Sequence, residues 1–119
     1  MYTQDWGKAW LNSKEEVWLT DKILSVFESY LSSLIDQGVS KSTFNRHKAA
    51  CHALGGYIAG EVFGYENDTF SKEQTGIEIL LHYIDEHGGP LVYRDNEVWQ
   101  KELDAMCRKL CKYIKAQDT

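Results

Sequence analysis

Three groups of side chains in this 119-residue chain have types and spacings that could do chemistry. The first is a metal set. His47 and Cys51 lie four apart, and so do Cys107 and Cys111. Residues four apart share a helix face, so two such pairs on facing helices would supply a tetrahedral Cys3His set for zinc. The competing reading is that free cysteine packs as a small hydrophobe, and pairs on separate helices are less diagnostic than short C-x-x-C knuckles. The residues favour core over ligand, so the expectation is no metal, with His47, Cys51, Cys107 and Cys111 as the candidate set. The second group is a nucleophile with a base. Cys51 adjoins His52, but neighbouring helical residues point about 100° apart. His47 is better spaced, yet it shares the apolar face with Cys51, where burial silences a thiol. Tyr83, Asp85, Glu86 and His87 also cluster, as an ordinary polar face does. No G-x-S-x-G, P-loop or H-E-x-x-H pattern occurs. The chain is therefore expected not to be an enzyme and to need no cofactor.

The third group is an anion site. Ser40, Lys41, Ser42, Thr43, Arg46 and Lys48 gather where a helix should begin. A helix start offers free N–H groups and the positive end of the dipole, and hydroxyls with two or three cations there suit a phosphate of nucleic acid. The plainer reading is a capped, solvated helix start.

These groups need helices to place them, and the pattern supplies four. A capping box at Ser13 and Glu16 starts the first. Val17, Leu24, Phe27, Leu31, Leu34 and Ile35 give it an apolar stripe, and Gly38 stops it, for a span of about 14–37. The second is capped by Ser40 and carries Phe44, His47, Cys51, Leu54, Ile58 and Val62. Gly55 and Gly56 within it cost about 1 kcal/mol each relative to alanine, so either the helix breaks there or another backbone approaches closely; the preferred reading is close packing of the first or the fourth helix against that face. Capping boxes at Ser71–Gln74 and Thr75–Glu78 precede the third helix, with Ile77, Leu80, Leu81 and Ile84 on one face and Gly88-Gly89-Pro90 as its end. Leu91-Val92-Tyr93 reads as an extended link. Asp95 or Asn96 then caps a fourth helix with the stripe Trp99, Leu103, Met106, Leu110 and Ile114. The fold class expected is all-α, a single compact bundle of four main helices, with residues 1–12 as an arm or short fifth helix. Trp6 and Trp10 in that arm either fold back onto the domain, the preferred reading, or form a partner contact.

Bulk properties agree with one modest globular core. The net charge is −5, which excludes a generic polyanion binder, but the charge is segregated. Residues 41–60 carry three cations and no acid, and residues 105–119 are also net basic, within an otherwise acidic chain. No stretch is long and apolar enough for a membrane span, no secretory pattern opens the chain, and three cysteines without framework spacing fit reduced thiols in a cytoplasm.

The segment FESYLSSLIDQ followed by GVSKSTFNRHKAACHALGGYI, roughly residues 27–58, resembles a helical hairpin in the N-terminal core-binding, SAM-like domain of tyrosine recombinases and phage integrases. There a helix with the pattern yL..L...g leads into lS..T..r....l..f..yl. The resemblance implies a SAM-like four-helix fold that clamps DNA, with Ser40, Lys41, Ser42, Thr43, Arg46 and Lys48 on phosphates, and an origin in a mobile element. The family's catalytic tyrosine domain has no counterpart in these residues. Three functional readings stay open. One is a small non-catalytic interaction module acting through protein contacts or self-association. Another is DNA binding through the start of the second helix. The last is a structural zinc protein.

Overall fold

The computed structural model describes residues 2–6, 10, 17–64 and 73–117, with the side chains of 17 and 61–64 excepted. Four helices run in order: α1 (Val17–Asp36), α2 (Lys41–Gly64), α3 (Gly76–Tyr83) and α4 (Glu97–Gln117). The described residues form no strand; a single isolated bridge joins Asp85 to Gly88. The fold is all-α, a four-helix bundle around one core cluster. The helix α2 is central: it packs on α1 along one side and on α4 along the other, and α3 packs on α1. Two-sided cover explains why the middle of α2, residues 49–60, is apolar or small at nearly every position, with Cys51, Leu54, Ile58 and Ala59 all buried.

Local signals set most helix ends. At Gly38 (φ +74°) the chain enters the left-handed region, Gly38 N–H donates to Ile35 O (3.0 Å) and Val39 N–H donates to Leu34 O (3.3 Å). This is a Schellman ending, which glycine allows without a Cβ penalty. Ser40 then caps α2, Thr75 and Glu78 complete the capping box of α3, and Asn96, not Asp95, caps α4 by accepting from Trp99 N–H (3.1 Å). The first helix's expected cap at Ser13 and Glu16, and the box at Ser71, lie outside the described residues.

Several expectations need correction. The helix α3 ends at Tyr83, five residues before Gly88. Ile84 is extended, and Asp85 to Gly88 form a tight turn in which the Asp85 carboxylate accepts from His87 N–H (2.8 Å) and Gly88 N–H (3.2 Å). Aspartate competes well with a helix for these donors, so the helix stops there. Ile79 and Leu80 carry the burial of α3, while Leu81 faces solvent. Ile35 is also exposed, because it lies about 100° round α1 from the buried Leu34.

The largest correction concerns Gly55 and Gly56. Among the described residues neither α1 nor α4 comes nearest to them; the Trp10 indole does. A Cβ on Gly55 would fall within 2.7 Å of ring carbons Cζ2 and Cζ3 of Trp10, and one on Gly56 would lie 3.3 Å from its Nε1. The described N-terminal residues, 2–6 and 10, lie along α1 and α2. Thr3 donates from N–H and Oγ1 to Glu28 (2.6 and 2.8 Å), and Tyr2 meets Phe44 edge-on at 5.3 Å. Trp6 sits between Phe27 and His52, with Trp10 beside it at 5.7 Å. Trp10 is buried and Trp6 half-buried, so these rings cover the chain's own core and Trp10 offers no surface to a partner.

Candidate functional site

The start of α2 is built as its residue types suggest, yet its six polar residues do not converge on one point. Thr43 N–H donates to Ser40 Oγ (3.1 Å), the Ser40 hydroxyl donates to Thr43 Oγ1 (3.0 Å), and Arg46 Nη2 donates to the same Thr43 oxygen (3.2 Å). Ser40 and Thr43 are thus engaged with each other. Lys41, Ser42 and Arg46 line a groove; Ser40, Thr43 and Lys48 do not. Lys41 has no charge partner among the described residues. Arg46 reaches across to Glu102 of α4 at 3.8 Å, with both side chains half-exposed. In high dielectric such a pair contributes about 0–1 kcal/mol, so it can open at little cost.

The groove encloses about 810 Å³ between the first halves of α2 and α4. Lys41, Ser42, Asn45, Arg46 and Ala49 lie on one face of α2, because they recur at three and four residue intervals. Ala49 and Ala50 form a floor of small side chains, and Leu103 closes it from α4. Val98, Trp99 and Tyr93 form the lip. Trp99 is 55% exposed and Val98 69% exposed, and the Trp99 ring is held edge-on to Tyr93 at 5.5 Å. Together with Leu91, at 59%, they make three of the five exposed large hydrophobics among the described residues, all within nine residues of sequence. Such a concentration of apolar surface marks a contact site more often than scattered single residues do. Trp99 is therefore not part of the core stripe, contrary to the expectation from its spacing. The stripe of α4 begins at Leu103; Trp99 lies one turn earlier, beyond the end of the core.

The lip is held in place by two side chains that the sequence reading did not single out. Gln100 Oε1 accepts from Val92 N–H (3.0 Å) and Tyr93 N–H (2.9 Å), while its Nε2 donates to Pro90 O (3.0 Å) and Asp104 Oδ1 (3.2 Å). Asp104 Oδ1 also accepts from Gly89 N–H (3.1 Å). The link between α3 and α4 is therefore latched onto α4 through both polar side-chain atoms of Gln100. A glutamine and an aspartate at i, i+4, following a Gly-Gly-Pro link with few other partners for its N–H groups, is the signal that was available.

The remaining chemical candidates are the buried cysteines with their histidines and an exposed turn after α3. The zinc set does not assemble: among the described residues no three His, Cys, Asp or Glu side chains come together as a metal site. His47 Nδ1 instead pairs with the Tyr30 hydroxyl at 2.9 Å, and Cys51 Sγ donates to Met106 Sδ at 3.7 Å. All three thiols are buried. Burial pushes the Cys51 thiol well up, with Cys107 nearby adding to it, and pushes Cys107 up to about 12, with Asp104 adding to it. Both groups are therefore thiols, not thiolates, at neutral pH. His52 is no base for Cys51, since its ring lies against Trp6 and Trp10 at 5.0 and 5.5 Å. In the polar group at the end of α3, Asp85 shapes its turn, Glu86 meets Lys115 at 3.2 Å, and Tyr83 packs edge-on to Tyr57. No described helix is long and apolar enough to cross a membrane. Compared with family models, with curated proteins and with solved structures, the chain matches none.

Proposed function

We propose that the chain is a small non-catalytic helical module that binds another protein through the groove between α2 and α4. One observation carries this reading: Trp99 and Val98 stand side by side on the first turn of α4, half or more exposed, over a floor of Ala49, Ala50 and Leu103. Tryptophan is enriched among the residues that dominate binding energy at protein interfaces, and the chain leaves this one at a lip held by the Gln100 latch. A photo-crosslinking residue in place of Val98, introduced in the cell of origin, tests it. The expected result is a protein adduct that Trp99→Ala abolishes and that the same residue in place of Lys112, an exposed position well along α4, does not form. Nucleic acid in the adduct, or equal adducts from both positions, contradicts the reading.

The recombinase-like reading places DNA phosphates at the start of α2, and the three cations of residues 41–60 support it. Glu102, within 3.8 Å of Arg46, weighs against it, because a phosphate brought there meets a carboxylate. Its test is a duplex gel shift across a salt series, in which DNA binding through these residues falls with salt and falls again with Arg46→Glu and Lys48→Glu combined. Origin in a mobile element is what the resemblance implies, and the groove reading does not depend on it.

A further inference from the structure

We infer that the groove's occupant is an amphipathic helix of a partner protein, with apolar anchors three or four residues apart and a carboxylate on the flank that faces Lys41. This rests on the protein-binding reading above and names the partner's chemistry.

The groove's walls argue for a helix. Both are α-helices whose backbone groups are already bonded within themselves, so they cannot extend a ladder to an added strand. The polar side chains on the walls are few: Ser42 and Asn45 beside the charged Lys41, Arg46 and Glu102. An extended segment would leave its own N–H and C=O groups largely unmet there, whereas a helix satisfies its own. The dimensions agree. From Lys41 to Ala49 the α2 wall rises about 12 Å, roughly two helical turns. Two turns present anchors at i, i+3 or i+4, and i+7, the spacing of helix-in-groove recognition. The floor of Ala49 and Ala50 allows close approach of a second helix, and Trp99 with Val98 would close over its apolar face. A small ligand fits less well. Pockets for such ligands enclose most of the ligand, and here Val98 and Trp99 would stay wet, whereas a helix brings its own cover.

Charge selects the partner's sign. The α2 wall carries Lys41 and Arg46, and residues 41–60 contain no acid at all. Arg46 is shared with Glu102 on the opposite wall; Lys41 is unshared among the described residues. The positive end of the α2 dipole lies at the same place and adds to the same sign. A carboxylate along the α2 flank is therefore favoured, and a lysine there is opposed.

The test is a displayed library of peptides of about 15 residues, long enough to sustain a helix, selected on the full chain. The expected result is enrichment of apolar pairs three or four apart with a neighbouring Asp or Glu. Individual peptides should then lose about tenfold or more on Trp99→Ala, lose severalfold on Lys41→Glu, and regain binding to Lys41→Glu when their acid becomes lysine. Val98→Ser gives a second, milder lip variant, and both lip residues are exposed enough for the fold to survive. A mid-peptide proline should abolish binding. If proline-containing peptides bind as well at the same lip, the occupant is extended: the helix inference fails and the protein-binding reading stands. If enriched peptides ignore Trp99→Ala, or if only duplex DNA is retained and Lys41→Glu releases it, both fail. If sedimentation instead finds a dimer that Trp99→Ala dissociates, the occupant is a second copy and the partner-helix inference is overturned. No enrichment at all also overturns it, leaving the crosslink at position 98 to decide the broader reading.

Discussion

Gly55 and Gly60 lie five residues apart on α2, and the same substitution at each should change stability in opposite directions. Alanine is favoured over glycine in a helix by about 1 kcal/mol, so propensity alone predicts stabilisation at both. At Gly60 nothing described lies within 4 Å of a new Cβ, and Gly60→Ala should raise stability by up to about 1 kcal/mol. At Gly55 the new methyl meets the Trp10 ring, with Cζ2 and Cζ3 at 2.7 Å where ordinary contact needs about 3.5–4.0 Å. The indole must retreat by about 1 Å, yet Trp6 and His52 flank it with ring centres 5.7 and 5.5 Å away. Overpacking of this kind costs about 1–3 kcal/mol, and the clash of several ring atoms places it near the top of that range. Less the gain in propensity, Gly55→Ala should lose about 2 kcal/mol, or roughly 8 °C in Tm for a chain of this size. Chemical denaturation followed by far-UV circular dichroism measures both variants. A cycle with Trp10→Ala isolates the cause: once the ring is gone, Gly55→Ala should become stabilising, like Gly60→Ala. The reasoning is refuted if the two glycine variants shift stability in the same direction, or if Trp10→Ala leaves the Gly55→Ala effect unchanged.

Two further outcomes follow from the site's surroundings. Gln100→Ala should free the Val92 and Tyr93 amides to exchange and cost about 1–3 kcal/mol for the donors and acceptors left unmet; unchanged exchange at 92 and 93 contradicts the latch. His47 is held below its ordinary value of 6.5, chiefly by burial and next by Lys109; Glu102 pulls the other way, and Arg46 adds the least to the lowering. The unfolded chain therefore takes up this proton first as pH falls. Stability contributed by neutral His47 is present above about 6.5, and it declines from there down through the lower folded value. His47→Gln should flatten that part of the stability profile, and an unchanged slope would show that other groups set it.

What the sequence made legible was local chemistry. Ser40, Thr75 with Glu78, Asn96 and Gly38 act through hydrogen bonds within a few residues, so their types announced the helix ends and the four-helix fold. The rest depended on contacts between distant parts of the chain. Periodicity identified a stripe on α4, but it could not say that the core stops at Leu103, one turn short of Trp99. The Gly55-Gly56 pair correctly signalled close approach, yet nothing in α2 itself distinguished a neighbouring helix from the side chain of Trp10. His47 and Cys51 shared a face as expected; which partner each took was decided by Tyr30 on α1 and Met106 on α4. Of the six residues proposed at the start of α2, Lys41, Ser42 and Arg46 reach the groove, because only that side of the helix faces α4. Asp85 ended α3 early by offering its carboxylate to the backbone, a competition that a helical stripe does not record.

The most direct measurement is fluorine NMR of the chain labelled with fluorotryptophan, which reports on each of its four tryptophans separately. Trp99→Phe assigns the signal at the groove. The account predicts that in the free protein the Trp99 signal responds most strongly to exchange of H2O for D2O, and that Trp10 responds least. It also predicts that addition of the protein captured at position 98 moves the Trp99 signal and removes that solvent response, with Trp10 unmoved. A Trp99 signal already shielded in the free protein, or one that is unchanged in the complex, would contradict the groove as the binding surface.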